Sequence, residues 1–180
     1  PDDTGVHHRV AKAQAIRSID PEIRFFANPS WHKVATTYTC KELAPYVDIW
    51  APYIGHLRDE QTLKFLKSTG KPILFYKCDG FFTRNPAMCY NYFRKFAWVA
   101  AKYDIDGCGF GAVNGDREDP WTDMDGPNWD GDGCDPTILY PAEQTDGFVI
   151  SRNAAGFREG MEEMKYLHAL KDKLPQAEIH

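Results

Sequence analysis

Residues 47–76, VDIWAPYIGHLRDEQTLKFLKSTGKPILFY, contain the decision about the fold. Residues 47–52 (VDIWAP) form a short apolar run that ends at a proline, the signature of a buried strand. Residues 58–69 follow with Leu63 and Leu66 at helical spacing, and Gly70 supplies a left-handed helix end before a second apolar run, 72–76 (PILFY). Strand, loop, helix, strand is one βαβ unit, and such a crossover joins parallel strands with a right-handed connection.

The same grammar extends in both directions. Residues 6–19 read as a helix with Val10, Ala13 and Ile16 on one face. Asp20-Pro21 stops that helix, because the residue before a proline is driven out of the helical region. Residues 22–27 (EIRFFA) then read as a strand, Asn28-Pro29-Ser30 as a turn, and residues 41–46 as part of the next crossover. Downstream, Asn85 caps and Pro86 opens a helix that carries Tyr92, Phe93, Phe96 and Val99 to about Tyr103. Residues 107–113 (GCGFGAV) form a glycine-rich fourth strand. Phe157, Met161, Met164, Leu167, Leu170 and Leu174 step by three or four along a final helix.

Four strands alternating with helices predict an α/β fold of about four parallel βα units within one domain spanning residues 1–180. A doubly wound open sheet would place a glycine-rich phosphate loop after its first strand, and NPSWHK has no such character. The expected architecture is therefore part of a (β/α)8 TIM barrel, in which functional residues gather directly after the strands. A complete barrel takes about 250 residues. The expectation is that the chain is a fragment of a longer one, or that a second copy or another chain supplies the missing half.

Composition narrows the chemistry. A net charge of -5 and a pI near 5.7 offer no basic field for a phosphate backbone, so nucleic acid is not an expected partner. The apolar runs fall far short of the roughly 20 residues of a membrane helix, so no membrane is expected either. Five cysteines lie without a CxxC pair, and Cys78 and Cys108 sit in strand-like segments as small buried hydrophobes. The histidines form no HxH or HExxH spacing; His32 and His56 stand singly in loops, and most of the six read as solvated. Neither a metal nor a cofactor is expected. The segment DMDGPNWDGD places carboxylates near glycines and invites a calcium reading, but it lacks the EF-hand spacing.

The residues after each strand are polar and aromatic: Asn28, then Trp50 and Tyr53, then Tyr76 and Asp79, then Asn114. Rings stack on the C–H faces of a sugar while carboxylates and amides bond its hydroxyls, so these residues suit a saccharide. Each also has an ordinary structural reading: packing for Trp50, Tyr53 and Tyr76, and turn chemistry for Asn28, Asp79 and Asn114. Trp121 and Trp129 lie in residues 115–135, a stretch with eight acidic residues and one basic. That charge density keeps the loop out of a core and makes its tryptophans candidates for ligand contact. Arg152, Arg158 and Glu159 are expected to form ion pairs that fasten the last helix.

The order DPEIRFFANPS, YVDIWAPYIG, GKPILFYKCDG, the glycine-rich strand, GDGCDPTILYP and SRNAAGFREGMEEMKYL resembles the C-terminal part of the catalytic barrel of glycoside hydrolase family 123 and its relatives. The resemblance covers nearly the whole chain and is most specific at its end. It implies retaining, substrate-assisted hydrolysis of N-acetyl-β-galactosaminides, in which an adjacent Asp-Glu pair orients the acetamido group and protonates the leaving oxygen. The chain's one Asp-Glu dipeptide, Asp59-Glu60, precedes the QTLKFLK helix and reads as an N-terminal charge pair favoured by the helix dipole. The catalytic pair is thus expected upstream of Pro1. On this reading the chain supplies a sugar pocket for a glycan substrate and is inactive alone, and the location is secreted or periplasmic. A non-catalytic carbohydrate-binding or scaffold module is the alternative.

Overall fold

The computed structural model describes residues 5–29, 37–77, 86–110, 138–142, 146–171 and 173. The chain divides into two compact units, Pro1–Lys77 with Tyr103–Gly109, and Cys78–Lys102 with Phe110–His180. The described elements are mixed α/β, with five α-helices and short strands in two-stranded sheets.

The first unit opens with α1 (Val6–Ile19), which ends where Asp20 turns extended and its N–H closes on the Ile16 carbonyl at 3.0 Å. Val6 and Ala13 face inward, whereas Ile16 and Ile19 are exposed, so the expected Val10–Ala13–Ile16 face is rotated away from Ile16. The strand predicted over 22–27 is confined to β1 (Phe26–Ala27). Its start is delayed because Asp20 holds a turn through its carboxylate to Glu22 N (3.0 Å) and its carbonyl to Ile23 N (3.4 Å). After α2 (Thr37–Leu43), β2 (Ile49–Trp50) pairs parallel with β1, in the register Phe26↔Ile49 and Ala27↔Trp50.

A 3-10 helix (Ile54–Arg58) leads into α3 (Glu60–Ser68), whose N-terminus is capped by the Asp59 carboxylate. Gly70 closes the turn after α3 at φ +65°, as the sequence predicts. Then β3 (Leu74–Lys77) follows, and parallel bridges Trp50↔Ile73 and Tyr53↔Tyr76 align it with β2. β4 (Gly107–Phe110) pairs with β3, and Gly107 N donates to Ile73 O at 3.2 Å. The remainder of the predicted fourth strand, 111–113, lies outside the described residues.

The core of this unit is Val6, Cys40, Leu43, Val47, Trp50, Leu66 and Ile73. The rim at the amino ends of the strands is held by side chains that bond backbone. Asp48, one residue before β2, accepts from Phe25 N (2.7 Å) and from Arg17 (2.7 Å). Asp106, one residue before β4, accepts from Ile73 N at 2.9 Å. Lys71 donates to the carbonyls of Ala44 and Val47.

The second unit contains α4 (Pro86–Tyr103), ending where predicted, and α5 (Arg152–Lys171). It also holds a hairpin the sequence did not announce: β5 (Leu139–Pro141) pairs antiparallel with β6 (Phe148–Ile150). Ser151 caps α5 by accepting from Ala154 N at 3.1 Å. Gly156 and Gly160 let α5 approach α4 so closely that a Cβ on either would overlap the carbonyl oxygen of Tyr90 or Arg94. Glu163 Oε1 accepts from Nε and Nη2 along one edge of the Arg94 guanidinium, and its Oε2 accepts from Trp98 Nε1 (2.6 Å). Arg94–Glu163 therefore does the fastening expected of Arg152, Arg158 and Glu159; Arg158 instead reaches Glu162 within its own helix, at 3.9 Å in an exposed pair.

Candidate functional site

Three of the predicted residues come together at the carboxyl ends of β1, β2 and β3. Asn28 leaves β1 on a segment fixed from α1, where Arg9 donates to Asn28 O (2.7 Å) and to Pro29 O (3.0 Å). Tyr53 follows the buried Ala51-Pro52 step after β2 and bridges to Tyr76 in β3, and Tyr76 N donates to Pro52 O at 3.0 Å. The Asn28 amide nitrogen donates to the Tyr76 phenol oxygen. The Tyr53 and Tyr76 rings stand edge to face, 5.8 Å between centroids and 68° between planes. All three side chains are half-buried.

Two residues that the sequence reading did not assign to the site hold Tyr53 in place. His56, read as standing singly in a loop, is buried, with its ring 6.2 Å from Tyr53 at 79°. Gly55 brings its backbone against the same ring, where an added Cβ would lie 3.2 Å from Cδ1 and Cε1. The available signal was the spacing YIGH directly after a strand. Chemically, the cluster groups two aromatic rings inclined at 68° with a primary amide. That combination suits a ligand with a C–H face and acceptor oxygens.

Trp50 is a correction. It is fully buried in the core cluster, and its indole N–H donates to Thr69 Oγ1 at 3.0 Å, so neither face is open to a sugar. Asp79, Asn114, Trp121 and Trp129 lie outside the described residues, as do His32, Cys78 and the acidic segment considered for calcium. Asp59 stands at the start of the helix, as the sequence suggests, and there caps it: its Oδ1 accepts from Gln61 N (3.0 Å) and Thr62 N (3.2 Å).

Other reactive groups are held inert. Burial pushes the Cys40 thiol up to about 12, with the Asp59 charge adding to the effect, and pushes Cys108 up to about 11. Both stay protonated at neutral pH and are poor nucleophiles. Among the described residues no three His, Cys, Asp or Glu side chains converge as metal ligands. No protein-family model and no curated protein matches the chain.

Proposed function

We propose that the chain forms part of the sugar pocket of a glycoside hydrolase acting on N-acetyl-hexosaminides, built as the C-terminal half of a (β/α)8 barrel. The observation that carries this reading is the Asn28–Tyr76–Tyr53 cluster. It sits at the carboxyl ends of three strands aligned in parallel, the end at which barrels place ligand-binding groups. Aromatic rings beside an amide are the groups that give stacking and hydrogen bonding together, which polyhydroxylated ligands require. The resemblance to glycoside hydrolase family 123 supplies the retaining, substrate-assisted chemistry.

A specific observation keeps a second reading, a non-catalytic carbohydrate-binding module. Asp59 is committed to capping α3, so Asp59-Glu60 does not provide the acid pair. The test has two arms. Calorimetric titration of the chain with N-acetylgalactosamine and with N-acetylglucosamine should give binding that Asn28→Ala and Tyr76→Phe each weaken. An assay on an aryl N-acetyl-β-galactosaminide should give no hydrolysis by the chain alone and hydrolysis once an Asp-Glu strand end is supplied by a longer form or a second polypeptide. Sugar binding with no hydrolysis in either case selects the second reading; absence of sugar binding defeats both.

A further inference from the structure

The hairpin of the second unit has an open apolar edge. Phe148 is 63% exposed, Val149 44% and Ile150 60%, so β6 shows apolar side chains on both of its faces. Two hydrogen bonds fix which edge each backbone group serves. Ala142 N donates to Gly147 O at 3.1 Å and Ser151 N donates to Ile138 O at 3.0 Å. Odd-numbered residues of β6 therefore turn their amide and carbonyl toward β5, and the even-numbered Phe148 and Ile150 turn theirs away. Among the described residues β5 is the only strand beside β6. Outward amides and carbonyls flanked by apolar side chains form a template for another strand.

The sequence around β6 specifies which strand. Residues 146–152, DGFVISR, carry an exposed acid at one end and an exposed base at the other. When the segment meets a copy of itself antiparallel, with Val149 opposite its own counterpart, Phe148 lies opposite Ile150 of the copy at both places. Those are the residues whose backbone groups point outward, so each place closes a narrow pair of hydrogen bonds. Asp146, just before β6, and Arg152 of the copy, the first residue of its α5, then bring opposite charges to the same end of the pairing, twice by symmetry. A parallel arrangement would oppose like charges, and a one-residue slip would demand backbone groups already used by β5. One register satisfies backbone and charge together.

We propose that β6 is a self-association edge, through which two copies of the chain pair antiparallel about a two-fold axis at Val149. A two-fold contact presents the same patch on both partners, which is what a self-complementary segment provides. The inference concerns the second unit alone and does not depend on the sugar reading.

Sedimentation velocity over a concentration series tests it, with circular dichroism to establish that each variant is folded. The unaltered chain should pass from monomer to dimer. Val149→Lys and Val149→Glu should each stay monomeric, because like charges would meet at the axis, and an equimolar mixture of the two should dimerise. Asp146→Arg and Arg152→Asp should each weaken association by about tenfold, and the double variant should recover it. A chain that is monomeric at every concentration, or a dimer indifferent to Val149→Lys, overturns the proposal. Should the Val149 variants fail to fold, recovery or its absence in the Asp146/Arg152 double variant decides.

Discussion

In the first unit, strands are drawn together by side chains that reach for backbone, whereas in the second unit two long helices meet where side chains have been left out. Asp48, Asp106 and Lys71 each bond main-chain groups of a neighbouring segment, and the apolar core lies directly behind them. Between α4 and α5 the close contact is glycine against backbone, with Arg94, Trp98 and Glu163 as a polar clasp beside it. The difference has a physical origin. Strands of two to four residues make few ladder bonds, so their alignment depends on added side-chain bonds. Helices satisfy their own backbone and need only a close fit.

The largest test of this contrast is Trp50→Ala. Removing a fully buried indole should cost about 3–5 kcal/mol by urea unfolding, and hydrogen exchange should rise in α1 to α3 before α4 and α5. A loss well under 1 kcal/mol would mean that the ring is exposed after all and would return Trp50 to the list of sugar contacts. Gly160→Ala probes the other side. By helix propensity alone it would stabilise by about 1 kcal/mol. Overlap of the new Cβ with the Arg94 carbonyl oxygen should reverse the sign and leave a net loss of about 1–3 kcal/mol. A net gain would show that the helices separate without penalty.

Asp48→Asn is expected to have a smaller, pH-dependent effect. The Phe25 amide, ahead of the Arg17 guanidinium and the Lys71 charge, holds the Asp48 carboxyl below its ordinary value of 3.8 despite some opposing burial. Its folded value is depressed, so its contribution is fully present above the unfolded value. The contribution is lost as pH falls through the folded value. The stability difference between the unaltered chain and the variant should therefore be constant from pH 7 to about 5 and shrink through the range below about 4. A difference that instead grows on acidification would rule out Asp48 as a carboxylate staple.

How far the sequence carried depended on whether the determinant was local. The ends of α1 and α4, the place of Asp59 at the start of α3 and the left-handed Gly70 all follow from residues within a turn of the feature, and they were legible, though the side-chain cap made by Asp59 was not. So was the meeting of Asn28, Tyr53 and Tyr76, because strand-end position follows once the alternation is known. The length of β1 was not legible, since it depends on an Asp20 turn that competes with the strand. Trp50 was misread because a strand-end residue projects to either side, and only the Thr69 partner and the enclosing core decide. The β5–β6 hairpin was missed because Leu139–Pro141 is three residues ending in proline. That proline fits there only because Ala142, Val149 and their alternates take the ladder bonds.

The smallest stability effect, and the one closest to function, belongs to Tyr76→Phe. The substitution keeps the ring that meets Tyr53 and removes only the oxygen that accepts from Asn28, so unfolding should change by about 0.5–1.5 kcal/mol. The Asn28 side-chain amide protons should shift in the NMR spectrum while the backbone amides of β1 and β2 stay in place. Sugar affinity, if the pocket reading holds, should fall by about tenfold with unaltered stoichiometry, as expected for one lost hydrogen bond at a preformed site. A drop in affinity accompanied by wide backbone shifts would make the hydroxyl a structural strut between β1 and β3. Unchanged Asn28 amide signals would dissolve the cluster itself, leaving the first unit a set of stapled strands with no common chemistry at their carboxyl ends.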